Sequence, residues 1–155
     1  MSTAFISYST KDSHLALGLH SAMTMAGIST FLAEISIEPG KKWSDVIFES
    51  LAKSDWVFFL ASKNSISSPA VQQELGASLS HKKQIIPLLI DITPEELPEG
   101  VDKHQAIDIR SSPERLHAVI SKIAEKIKVD EFWAGVIVGA ILVGLIVLVA
   151  KSGNA

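Results

Sequence analysis

Residues 56–60 read WVFFL, a run that is apolar at every position and rich in aromatic side chains. A strand with one face in solvent alternates polar and apolar residues, whereas a strand buried on both faces does not. The run therefore reads as the central strand of a sheet covered on both sides. When strands are parallel, helices supply that cover, because parallel neighbours need crossover connections.

Toward the amino terminus, Trp43, Ile47 and Leu51 recur at helical spacing up to Lys53 and Ser54. Before them lies a long loop, AEISIEPGKKW over 33–43, with a Pro39-Gly40 turn. Residues 28–32 read as a strand, and Leu15, Leu19, Ala22 and Ala26 as one face of a helix that Gly27 ends in a left-handed cap. Residues 4–7 form a first strand, running into the polar turn Tyr8-Ser9-Thr10-Lys11-Asp12.

Toward the carboxyl terminus, Ser68 and Pro69 supply an N-cap and a first-turn proline to a helix in which Val71, Leu75 and Leu79 share a face, up to about His81. Residues 84–90 read as a fourth strand, and Pro87 within it signals an irregularity or an exposed edge. A Pro-rich and acidic loop covers 91–105. Residues 106–109 make a short fifth strand, and Ser112-Pro113 opens a last helix with Leu116, Ile120, Ile123 and Ile127 toward the core. Strand alternating with helix in this way implies an α/β domain over residues 1–130, with a flavodoxin-like parallel sheet of about five strands and helices on both faces. Ligands of such sheets bind at the carboxyl ends of the strands, near the switch in strand order. That rule points to residues 8–12, 33–42 and 61–74.

Residues 132–150, FWAGVIVGAILVGLIVLVA, contain no charged side chain. As a helix they reach about 28 Å, close to the ~30 Å hydrocarbon core of a bilayer. Two core strands would need a turn, and only Gly135, Gly139 and Gly144 break the run. Phe132 and Trp133 suit the headgroup layer. Residues 131–150 thus read as a single C-terminal transmembrane helix, with a short tail at 151–155. Lys122, Lys126 and Lys128 before the span bias the domain toward the cytoplasmic side. Gly135 with Gly139, and Ala140 with Gly144, have the small-xxx-small spacing of associating membrane helices, although glycine is frequent in membrane helices generally.

The 155 residues carry a formal charge of −3, which leaves no basic footprint for nucleic acid. There is no cysteine, so disulfides, thiol nucleophiles and thiolate metal sites are excluded. His14, His20, His81, His104 and His117 show no metal-ligand spacing, and no metal is expected. Phosphate-cradling glycine motifs are also missing. A response-regulator receiver needs an acidic cluster after the first strand and an aspartate ending the third. Here those places read Ser7-Tyr8-Ser9 and Ala61-Ser62.

Three stretches, AFISYSTKD, FLAEISIEPGKKWSDVI and SDWVFFLASKNSISSPAVQQEL, together resemble the TIR (Toll/interleukin-1 receptor) domain family, in its bacterial form with a C-terminal membrane anchor. They match the family's first box, its BB loop, and its third strand with the serine-rich loop and the following helix. In order and spacing the resemblance covers residues 3–128. In the enzymatic branch, a glutamate of that helix is needed to cleave NAD between nicotinamide and ribose, and the matching residue is Glu74. By residue type alone Glu74 reads as a solvated helix glutamate. Ser9 and Thr10 match the turn that borders the nucleotide, and Trp43 lies by the BB loop, where it either contacts substrate or packs on its own helix face. Two positions depart from the pattern: Ala70 stands where relatives have tryptophan, and Ala33 where many have an acid.

The resemblance implies an NAD nucleosidase (glycohydrolase or cyclase) that acts on oligomerisation, a membrane-held antiphage effector with NAD as substrate rather than cofactor. Its partners would be NAD, other copies of itself, the membrane and an activating molecule. The alternative it implies is a non-catalytic adaptor that works by self-association.

Overall fold

The computed structural model describes residues 3–32 and 42–109, with Ala118, Ile120 and Val149 beyond them, and gives the backbone alone for Trp43 and Ser44. Along the chain the elements are β1 (Thr3–Ser7), α1 (Ser13–Met25), β2 (Ser29–Phe31), α2 (Trp43–Lys53), β3 (Trp56–Ala61), α3 (Lys63–Ile66), α4 (Pro69–Ser80), β4 (Gln84–Leu89) and β5 (Ile107–Asp108). Short 3-10 turns cover Thr10–Asp12, Pro94–Glu96 and Val101–Lys103.

The five strands form one parallel sheet in the order β2-β1-β3-β4-β5. The chain goes from β1 outward to β2, then crosses back to place β3 on the other side of β1. The switch in strand order therefore lies between β1 and β3. As the WVFFL run implies, β3 is the central strand, and all its residues are buried.

Alternation along the strands divides the core into two layers. Ala4 and Ile6 of β1, with Trp56, Phe58 and Leu60 of β3, share a cluster with Leu15, Leu19 and Met23 of α1. The intervening Phe5, Val57, Phe59 and Ala61 belong to a second cluster, with Ile47 and Leu51 of α2 and Val71 and Leu75 of α4. A period of two on the strands and of 3.6 on the helices thus assigns one helix to one face and two to the other. Ser7, two residues after Phe5, falls on the α2 and α4 face.

The helix ends follow local chemistry. Gly27 adopts φ 83° after α1, and the Gly27 and Ile28 N–H groups donate to Thr24 O and Met23 O at 3.0 and 2.9 Å, a Schellman cap. The same geometry closes α4, where Lys82 takes the left-handed position at φ 53° and Lys82 and Lys83 donate to Leu79 O and Ser78 O at 3.1 and 2.9 Å. No glycine marks that end in the sequence.

Pro87 does not lie at an exposed edge. It is buried in β4, an inner strand, opposite Phe59. The β5 ladder begins only at Leu88, so that flank of β4 tolerates a residue without an N–H. The second and fifth strands are also shorter than the apolar runs suggest. Residues 33–41, which include the Pro39-Gly40 turn, lie outside the described residues. So do the start of the last helix at 112–113 and the apolar run 132–150, apart from Val149. Among the described residues no helix is long and apolar enough to cross a membrane. Ile120 and Val149 are helical and buried, both in the cluster on the α1 side.

Candidate active site

At the carboxyl end of β1 the strand delivers Ser7 toward α4. Its Oγ donates to Glu74 Oε2 at 2.6 Å, a contact buried from solvent. Glu74 lies on the inward stripe of α4, with Val71, Leu75 and Ser78, and is only 7% exposed. It is not a solvated helix glutamate. Ser78 Oγ donates to the Glu74 backbone carbonyl at 2.7 Å, so both ends of the residue are held.

The helix start fixes where Glu74 falls. Ser68 caps α4 by accepting from the Val71 N–H at 3.4 Å, and Pro69 occupies its first turn. Gln72 Nε2 donates to Ile66 O at 2.8 Å, which ties this first turn to α3. Glu74 then comes one turn in, against the switch point between β1 and β3.

Burial pushes the Glu74 carboxyl up from 4.5 to about 7, against the smaller, opposite pull of the Ser7 hydroxyl. A carboxylic acid that ionises near neutrality and is lodged at the ligand-binding edge of an α/β sheet has the properties of a functional group.

The loops above it are joined to one another. Asp12 accepts from Ser62 Oγ at 2.5 Å through one oxygen and from Asn64 Nδ2 at 3.2 Å through the other. Ser62 and Ser65 form a reciprocal capping box at the start of α3. The Lys63 N–H donates to Asp91 Oδ1 at 2.8 Å. The carboxyl ends of β1, β3 and β4 are therefore laced together by side chains.

Ser9 and Thr10 follow β1 directly, at the same end of the strand as the Ser7–Glu74 contact. Ser9 is buried, and its Oγ accepts from the Lys11 N–H at 3.3 Å, whereas Thr10 is exposed. Trp43 begins α2, in the helix layer that carries Glu74; its side chain lies outside the described residues. Ala70 is half-buried. The residues that sequence reasoning passed over are Ser7 and Asp12. Both stand in the quoted first box, and the alternation of β1, with Phe5 inward on one face, was the signal that would place Ser7 beside the helix layer.

A cleft of about 660 Å³ is lined by Lys83, Gln84, Ile86, His104, Gln105 and Ile107. It opens at the amino ends of β4 and β5, the opposite edge of the sheet from Glu74. The volume of the cleft does not mark the chemistry.

A doubly wound parallel sheet with a buried carboxylic acid at its switch point defines the class of domain. Residues 4–123 match the family model described as TIR domain, and the chain belongs to that family. No curated protein matches the chain. Among solved structures it is similar to the TIR domain of the Toll-related receptor TRR-2 from Hydra magnipapillata, with a TM-score of 0.65 and 21% identity over 79% of this chain and 94% of that one. It is also similar to the TIR domains of the activated Roq1 resistosome directly recognizing the pathogen effector XopQ, with a TM-score of 0.56 and 17% identity over 92% of this chain and 84% of that one. At these identities the likeness concerns the fold.

Proposed function

We propose that this TIR domain cleaves NAD at the nicotinamide–ribose bond when copies of it assemble, with Glu74 as the acting carboxylate. The observation that carries this reading is the burial of Glu74 at the end of β1, with ionisation shifted to about 7. In the reaction the C1′–N bond breaks and its electron pair leaves with nicotinamide, which becomes neutral. Positive charge is left on the ribose, where an ionised carboxylate stabilises it until water adds and gives up a proton. The leaving group needs no acid. Ser9 and Thr10, beside the end of β1, are the residues for contacting the nucleotide, and Trp43 is a third.

Assembly fits the similarity to the Roq1 TIR domains, which belong to an activated resistosome. An effector of antiphage defence, silent until an activating partner clusters it, is the setting in which such destruction of NAD makes sense. In this setting the run 132–150 is the single-pass anchor, with the TIR domain in the cytoplasm.

For that run one observation favours a second reading. Val149 is buried in the cluster on the α1 side, as a segment folded over the domain would be. Alkaline carbonate extraction of membranes separates the two: retention in the pellet supports the anchor, and release overturns it. For the activity, the full chain in liposomes at high surface density is incubated with NAD and assayed for free nicotinamide. Release above the background of Glu74→Gln supports cleavage. Equal release leaves the adaptor, a self-associating module without chemistry, as the function.

A further inference from the structure

Glu74 is the only charged residue of α4, and it is nearly enclosed. The elements that pack most closely on that helix are α2, α3 and β1, with β3, β4 and residues 92–101 in the same apolar cluster; β4 has no ionisable side chain, and Glu95, Glu96, Glu99, Asp102 and Lys103 are all exposed. Neither β1 nor the central β3 contains an ionisable side chain. On α2 the candidates are Asp45, Glu49 and Lys53, and on α3 Lys63, all of them exposed. Glu49 and Lys53 pair with each other at 2.7 Å. In the turn after β1, Tyr8 is half-buried, Lys11 is exposed, and Asp12 is engaged by Ser62 and Asn64. Among the described residues, the group that meets the Glu74 carboxylate is therefore a neutral one, the Ser7 hydroxyl.

We infer that Ser7 is a positioning residue of this site: its hydroxyl, fixed at the end of β1, favours the ionised form of the Glu74 carboxyl against the effect of burial and holds it in one orientation. This rests on Glu74 as the carboxylate that acts on NAD.

The geometry supports it in three ways. At 2.6 Å the contact has the length of a charge-assisted O–H···O⁻ bond. Ser7 is fully buried on the α4 face of an inner strand, so its Oγ is held by backbone that pairs with the central β3, opposite Phe59, while the β2 ladder ends two residues earlier at Phe5. A hydroxyl that donates to a carboxylate favours its charged state, which the cationic transition state requires and burial opposes. A purely structural Ser7 would merely join the sheet to α4, and its loss would lower activity equally at every pH.

The test uses the full chain in detergent micelles, with glutamate side-chain carboxyls labelled with ¹³C; the Glu74 signal is the one that disappears in Glu74→Gln. Expected is a midpoint about one pH unit higher in Ser7→Ala than in wild type, with Ser7→Thr, which keeps a hydroxyl, restoring it. The acid limb of the NAD-cleavage profile should move by the same amount, so that Ser7→Ala approaches wild-type kcat at alkaline pH. An unmoved carboxyl midpoint in folded Ser7→Ala, or a loss of kcat that is the same at all pH values, overturns the role of Ser7. Inactive Glu74→Gln with an unshifted Ser7→Ala overturns that role alone, whereas fully active Glu74→Gln overturns the reading of Glu74 itself.

Discussion

Ser7 Oγ and Glu74 Oε2 meet at 2.6 Å although 67 residues separate them, and this contact joins the end of an inner strand to the helix that carries the only charged group of α4. A carboxylic acid enclosed in this way favours its neutral form, so the domain holds in its interior a group whose ionisation works against folding.

That conflict has a measurable sign. Burial lifts the Glu74 carboxyl from 4.5 to about 7, so the folded chain holds this proton more firmly than the unfolded chain. The resulting stability is fully present below about 4.5 and is lost as pH rises through about 7. We expect this group to lower the wild-type unfolding free energy by up to roughly 3 kcal/mol across that window. Glu74→Gln should lack this part of the slope and be the more stable protein at pH 8, as urea midpoints would show. Parallel slopes for the two proteins would contradict the burial of an ionisable Glu74.

The same substitution should have the opposite effect on activity. At neutral pH, Glu74→Gln should reduce nicotinamide release by roughly 10²-fold or more, because a neutral amide cannot stabilise a cationic ribose. Circular dichroism confirms the fold, and residual turnover near the wild-type value counts against the role.

Asp12 holds the turn after β1 to the start of α3 through Ser62 and Asn64. Asp12→Ala leaves both donors without that acceptor and should cost about 1–3 kcal/mol in stability. Thermal unfolding measures it, and an unchanged midpoint would show that the two hydrogen bonds contribute nothing net.

Lys82 occupies a left-handed position at φ 53°, where a side chain is unfavourable. Lys82→Gly should stabilise the domain by about 0.5 to 1 kcal/mol, the relief at that residue exceeding the added freedom of the unfolded chain. A lower denaturation midpoint would mean that Lys82 makes compensating contacts.

Pro39-Gly40, in the stretch between β2 and α2 that resembles the BB loop, is a dipeptide whose sequence is expected to preset a turn. Replacing both with bulky charged residues should weaken self-association and NAD cleavage in parallel, since the turn is lost and charge repulsion added. Sedimentation and turnover report the two effects, and a change in one without the other would separate the loop from assembly.

The sheet was legible because its signals are local. An unbroken apolar run can be buried on both faces only in the interior of a sheet, and WVFFL became β3. Ser68-Pro69 placed the start of α4, and with it Glu74, to the residue. Short edge strands were less visible, since residues 28–32 and 106–109 are as apolar as longer ones while only Ser29–Phe31 and Ile107–Asp108 pair. Lys82 could not be read because nothing in a lysine announces a left-handed backbone. Ser7 was missed for a different reason: its meaning lies in a partner on another element, and spacing along the chain does not reveal such pairs.

The sheet is bounded by β2 at three residues and β5 at two. Among the described residues each border therefore exposes few unpaired backbone groups onto which another strand could add, and at β2 the half-buried Phe31 stacks on Phe5 with ring centroids 5.3 Å apart. For a domain proposed to act when crowded, this would be a safeguard. Copies brought together at high density have little template for runaway sheet extension toward fibrils, and their contacts are left to loops and helical surfaces, which can be made and undone.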